Sequence, residues 1–133
     1  MGNRGQRTAK RRTGHYVWAM QKVIIQEWDD ANMAGFEWSW QVWVSRHRDG
    51  LFSVGAQQST LDPPAQEIEA RCQLGTGSEV LNAIRDVVEE TAYSFDLEPG
   101  LIEDIAAKLE SLSPELSKQF RDAAAMRLTS AEG

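Results

Sequence analysis

Two imidazoles, one thiol and one glycine-rich turn are the places where this chain could first be expected to do chemistry. His15 and His47 are the only histidines, and neither has a second histidine or a cysteine at ligand spacing, so a zinc site lacks its donor set. Cys72 is the only cysteine, which excludes an internal disulfide and a thiolate cluster. It falls on the strand parity expected to be buried, where a thiol is a poor nucleophile. No GxSxG elbow is present. GTGS, at residues 75–78, lies between a strand pattern and a helix pattern, where backbone amides can meet a phosphate. It lacks the lysine of a P-loop and the third glycine of a dinucleotide fingerprint, and a capping box from Thr76 to Glu79 explains the same residues without a ligand. The 20 acids offer many carboxylate pairs for acid–base work, but no spacing singles one out. The chain therefore reads as a non-enzymatic protein without a cofactor.

Binding chemistry is easier to see. Residues 1–15, MGNRGQRTAKRRTGH, carry Arg4, Arg7, Lys10, Arg11 and Arg12 and no acid, although the whole chain has a net charge of -6. With three glycines and nothing periodic to bury, this stretch is expected to be a disordered arm. Its charge suits contacts with the phosphates of RNA or DNA, and a plain solubilising tail is the alternative. The opposite bias runs from residue 86 to 107, where Asp86, Glu89, Glu90, Asp96, Glu98, Glu103 and Asp104 occur without a lysine or arginine. A solvated helix face is the ordinary reading of such a run. The sharper one is an acidic patch that receives a basic partner, as an inhibitor would, or the arm of a second copy.

Tryptophan supplies the third signal. In FEWSWQVWVSR, at residues 36–46, Phe36, Trp38, Trp40, Val42 and Val44 share one parity, while Trp43 shares the other with Glu37, Ser39, Gln41 and Ser45. Trp38 and Trp40 are therefore expected in the core and Trp43 on the opposite face. Burying one indole is worth at most about 4–6 kcal/mol, so a terminal segment, a second copy or another protein is expected to cover it. Trp18 and Trp28 would enlarge the patch if they reached the same face, and Trp18, Trp28 and Trp43 are accordingly the candidate interface residues.

The elements that must position these residues follow from periodicity. Alternation over residues 36–46, the turn at Arg48, Asp49 and Gly50, and further alternation through Phe52, Val54 and Ala56 predict a hairpin. His47 is expected at its solvent-facing tip. Ile68, Ala70, Cys72 and Leu74 alternate with Glu67, Glu69, Arg71 and Gln73 and predict another strand after DPP. The first segment, HYVWAMQKVIIQEW, fits either a helical stripe or a strand; its β-branched residues and its place before a hairpin favour a strand. Both of its parities are apolar in places, which requires a bulge or two covered faces.

Beyond Thr76 the period becomes helical. Val80, Leu81, Ile84, Val87, Val88, Thr91 and Phe95 form one stripe; EPG interrupts it; Leu101, Ile102, Ile105, Ala106, Leu109 and Leu112 form a second. SPE restarts the chain with a cap and a proline, and Leu116, Phe120, Ala124 and Leu128 form a third. The predicted fold is α+β: a four-stranded antiparallel β-meander followed by three C-terminal amphipathic helices. The arm occupies residues 1–15 and a single domain residues 16–133, with the sheet at 16–74 and the helices at 76–128.

No apolar run reaches the length of a membrane span and no signal-type h-region is present, so a soluble, cytoplasmic protein is expected, without membrane contact. Two functions fit. One is an oligomeric binding protein that touches nucleic acid through the arm and protein through the aromatic sheet face. The other is an inhibitor, of the immunity or anti-defence type, whose acidic helices occupy a basic site on a target enzyme.

Overall fold

A computed structural model describes residues 19–31, 33–35, 37–60 and 66–132. The basic arm expected over residues 1–15 and the candidate interface residue Trp18 lie outside the described residues. The chain forms β1 (Ala19–Ala31), β2 (Glu37–His47), β3 (Phe52–Thr60) and β4 (Gln66–Leu74), then α1 (Gly77–Glu90), α2 (Pro99–Leu109) and α3 (Pro114–Glu132). Each strand pairs antiparallel with the next, in the order β1-β2-β3-β4. This is the predicted meander followed by three helices.

Among the described residues, all three helices lie on one face of the sheet. Trp40, Val42 and Val44 of β2 and Val54 and Ala56 of β3 share a buried core with Val80, Ile84 and Val87 of α1, Ile105 and Leu109 of α2, and Leu116 and Phe120 of α3. Trp38 packs against that core, as its parity predicts. α1 rests on β3 and β4, α2 on β1, and α3 chiefly on α1 and α2.

The two-sided apolar pattern of β1 has a bulge as its cause. Val23 pairs with Val44 and Ile24 with Trp43, but the register shifts before Gln26, which pairs with Val42, and Trp28 pairs with Trp40. An extra residue in one strand reverses which parity faces the core. The displaced Ile25 is fully buried, and its carbonyl accepts a hydrogen bond from Lys108 Nζ of α2 at 3.3 Å. The bulge thus has its polar group satisfied from the helix layer.

β4 departs from its predicted strict alternation for the same reason. Its register against β3 shifts twice, so that Ile68, Arg71 and Leu74 oppose Ala56, Val54 and Phe52. Gln73 takes a φ of 59°. Cys72, expected to be buried, is exposed, because two bulges convert a spacing of two into a spacing of three.

At the hairpin, Gly50 has a φ of 86°, and Gly50 N donates to His47 O at 2.9 Å. His47 is only half at the tip it was expected to occupy: it is partly buried, with Nε2 2.7 Å from Ser53 Oγ across the hairpin.

Local signals at the helix ends hold with one exception. Thr76 Oγ1 accepts from Glu79 N at 3.1 Å, and Glu79 Oε1 accepts from Thr76 N at 3.1 Å and from Gly75 N at 2.8 Å. Gly77 N donates to Gln119 Oε1 at 2.9 Å. The amides of Gly75, Thr76 and Gly77 are therefore occupied within the protein. Pro99 opens α2, and Ser113 Oγ caps α3 by accepting from Leu116 N at 3.1 Å. The exception is the end of α1: its stripe was expected to include Thr91 and Phe95, yet the helix stops at Glu90. Ala92 takes a φ of 73°, and this left-handed residue turns the chain out of the helix.

Candidate binding face

The sheet face away from the helices carries a short built arrangement around Trp43. Trp43 pairs with Ile24 on one side and Gly55 on the other. A Cβ placed on Gly55 would lie 2.3 Å from Trp43 Cζ2, so the indole lies over β3 in space that only glycine leaves open. Lys22 Nζ stands 4.8 Å from the centre of the Trp43 ring, a cation–π geometry. Loss of solvation pushes the Lys22 ammonium down from its usual range, and the charge of Glu67 partly restores it. Beside this group runs a row across three strands: Gln57 Nε2 donates to Gln41 Oε1 at 2.9 Å, and Gln41 Nε2 donates to Glu27 Oε2 at 2.8 Å. Trp43 itself is partly buried.

Trp28 does not join Trp43. The bulge at Ile25 moves it to the helix side, opposite Trp40, which corrects the expectation of a shared aromatic patch. There it meets Tyr93, with ring centroids 4.9 Å apart and planes at 56°. Tyr93 belongs to the connection between α1 and α2. Its phenol is pushed up by loss of solvation and then by the charge of Asp30 and a hydrogen bond to it, so it remains a neutral donor at ordinary pH. These residues wall a cleft of about 210 Å³ whose lining also includes Gln26, Phe95, Asp96 and Leu101. No motif predicted it, because it depends on the bulge and on the left-handed turn at Ala92.

Four of the seven acids of the run have ion pairs, two of them with residues distant in sequence. Glu90 pairs with Arg71 of β4; Glu103 pairs with Arg121 of α3 at 3.1 Å. Asp104 and Lys108 are 3.5 Å apart, Asp86 and Arg85 3.8 Å. These side chains are a third or more exposed, so each pair is worth at most about 1 kcal/mol; their effect is on the potential of the surface. Glu89, Asp96 and Glu98 have no ion pair among the described residues.

The Ser53 and His47 contact resembles half of a nucleophile–base pair, but Ser53 is 2 % exposed and out of reach of a substrate. Among the described residues no group of three or more His, Cys, Asp or Glu side chains could hold a metal ion, and no helix is long and apolar enough to cross a membrane. No family model matches the chain, and no curated protein or solved structure is significantly similar to it.

Proposed function

We propose that the protein is a non-enzymatic binding module that pairs with a second copy of itself through the sheet face opposite the described helices and contacts nucleic acid through its basic arm. The observation that carries this is the seat of Trp43 on Gly55, on the side of the sheet opposite the helices. A large aromatic held in a fixed position at the centre of a face is the usual anchor of an interface. The same face presents Lys22 with Glu27 and Glu67, opposite charges that a two-fold pairing can match against themselves. Edge-to-edge pairing has less support, since both outer strands are bulged, a feature that blunts strand edges.

Sedimentation of two variants tests this reading. Trp43→Ser shifts the protein to smaller species while the monomer stays folded. Trp40→Ser unfolds it, because that indole is 6 % exposed in the core. An unchanged mass for Trp43→Ser, with other proteins captured instead, removes the self-pairing part. Deletion of residues 1–14 leaves folding intact and weakens RNA or DNA binding; its five cations set a salt dependence of up to about 4.5 log units per log unit of salt.

A second reading, an inhibitor with an acidic docking site, rests on Glu89, Asp96 and Glu98, the acids left without ion pairs among the described residues. It is tested by Glu89→Lys with Glu98→Lys, which would abolish capture of a basic partner while arm deletion would not.

A further inference from the structure

The hairpin between β2 and β3 runs through Arg46, His47, Arg48 and Asp49, a basic turn that neither the core nor the Trp43 face accounts for. Elsewhere in the fold Arg71, Arg85, Lys108, Lys118 and Arg121 each stand in an ion pair. Arg46 and Arg48 have none among the described residues. Arg46 is half-buried, and its Nη1 donates to Leu112 O, at the corner between α2 and α3, at 3.0 Å. That bond engages one of a guanidinium's several N–H donors and leaves the charge without a carboxylate. Arg48 is exposed. Asp49 is the acid of the turn, but its Oδ1 accepts from Leu51 N at 3.0 Å, which directs it along the turn and onto neither arginine.

The tip is braced on both sides. His47 N donates to Leu51 O and Gly50 N to His47 O, each at 2.9 Å, and His47 Nε2 lies 2.7 Å from Ser53 Oγ. On the neighbouring strand Gln21 Nε2 donates to Ser111 O at 3.2 Å, beside the Leu112 carbonyl that holds Arg46. Cations on a fixed support lose less freedom on binding than cations on a flexible one.

Its position links this tip to the arm. β1 begins at Ala19, which pairs with His47, so the basic residues 1–15 join the fold at the hairpin end of the sheet. Arg12 is seven residues from Ala19 and can stand at most about 25 Å from it. A polyanion held by the arm is therefore kept in the neighbourhood of Arg46 and Arg48. The opposite end of the same two strands carries Asp29, Asp30 and Glu37, which repel a polyanion and favour the hairpin end.

We propose that the β2–β3 tip is a second phosphate-contacting site, in which Arg46 and Arg48 continue the charge of the arm and the phosphodiester backbone of RNA or DNA runs from the arm onto the folded domain. This rests on the reading of the arm as a nucleic-acid contact and adds the folded surface that the strand meets.

The test measures binding of the full chain to labelled oligo(U) and oligo(dT), each of about 20 nucleotides, by fluorescence anisotropy over a range of salt. Arg48→Ala with Arg46→Gln, which keeps a donor for Leu112 O, removes two cations and should lower the salt slope by about 1.4 log units per log unit and the affinity roughly tenfold at physiological salt. Lys118→Ala removes one cation from α3 and serves as the control, with slope and affinity unchanged. Arg48→Ala alone, in an exposed turn, carries the test if the double variant does not fold, with a slope lower by about 0.7. These losses with one oligonucleotide only support the proposal and assign the strand to RNA or to DNA. Unaltered binding by the double variant, or by Arg48→Ala where that stands in for it, overturns the proposal and leaves the arm reading in place. An equal loss per charge in Lys118→Ala also overturns it, since net charge would then explain the effect. No binding of the full chain to either oligonucleotide overturns both.

Discussion

Trp43 and Gly55 are cross-strand neighbours in which one side chain fills the volume the other lacks: any Cβ at position 55 would meet Trp43 Cζ2 at 2.3 Å and Cε2 at 2.8 Å. The contact seats the indole over Gly55 of β3 and shapes the sheet face opposite the described helices. It makes glycine at position 55 a requirement of the face.

Gly55→Ala therefore displaces the indole without removing it. The expected result is a folded protein whose self-association falls as far as in Trp43→Ser, read by sedimentation at matched concentrations. Its tryptophan emission shifts to the red as the ring leaves its seat. Full association with the ring displaced would mean that the Trp43 position does not matter to the interface.

Gly77→Ala probes a contact of the opposite kind. A Cβ there would lie 2.4 Å from Gln119 C and 2.5 Å from Phe120 N, backbone atoms of α3 that cannot turn aside. Alanine in place of glycine gains at most about 1 kcal/mol of helix propensity, whereas forcing packed elements apart costs about 1–3 kcal/mol. The clash wins, and urea denaturation should show net destabilisation. A stabilised variant would show that α1 and α3 approach less closely than 2.4 Å implies.

These two glycines mark what could and could not be read from the residues alone. The alternation through Trp38, Trp40, Val42 and Val44, and the cap at Thr76, are local rules, and they place the core face of β2 and the start of α1 correctly. Gly55 was also legible: the hairpin turn at residues 48–50 sets its register opposite Trp43, and a glycine inside a strand signals close approach. Trp28 was not, because its face depends on an extra residue near Ile25 that the apolar pattern allows but does not locate. Cys72 failed likewise, its parity reversed by bulges in β4. The acidic run looked unopposed because Arg71 and Arg121 reach it only through tertiary packing.

Lys22 gives the face a pH signature. Its ammonium titrates below the usual lysine range because it loses solvation, and Glu67 opposes the shift. Glu67→Gln should lower the Lys22 midpoint further, measured by NMR at the side-chain ε carbon. Between the lowered folded value and the ordinary unfolded one, the folded chain binds fewer protons than the unfolded chain. Stability contributed at this site therefore rises with pH across that window and is smallest below it. A midpoint that rises in Glu67→Gln would contradict the assigned contact.

Ala92 offers a test of the turn that brings Tyr93 to Trp28. Its φ of 73° puts an L-residue in the left-handed region, at a cost of roughly 1–2 kcal/mol, which glycine does not bear. Glycine brings extra freedom to the unfolded chain, worth about 0.4–1 kcal/mol in the other direction. The strain is the larger effect, so Ala92→Gly should stabilise the protein by up to about 1 kcal/mol, seen as a higher urea midpoint. Ala92→Val, with a branched Cβ in the same conformation, should destabilise it. The wild-type residue would then be holding the 91–98 connection at a cost in stability, and the Trp28–Tyr93 contact should persist in the glycine variant, because glycine adopts the same left-handed conformation. If both variants lower the midpoint equally, position 92 is not left-handed in solution, and the turn that shapes the cleft must be made by another residue.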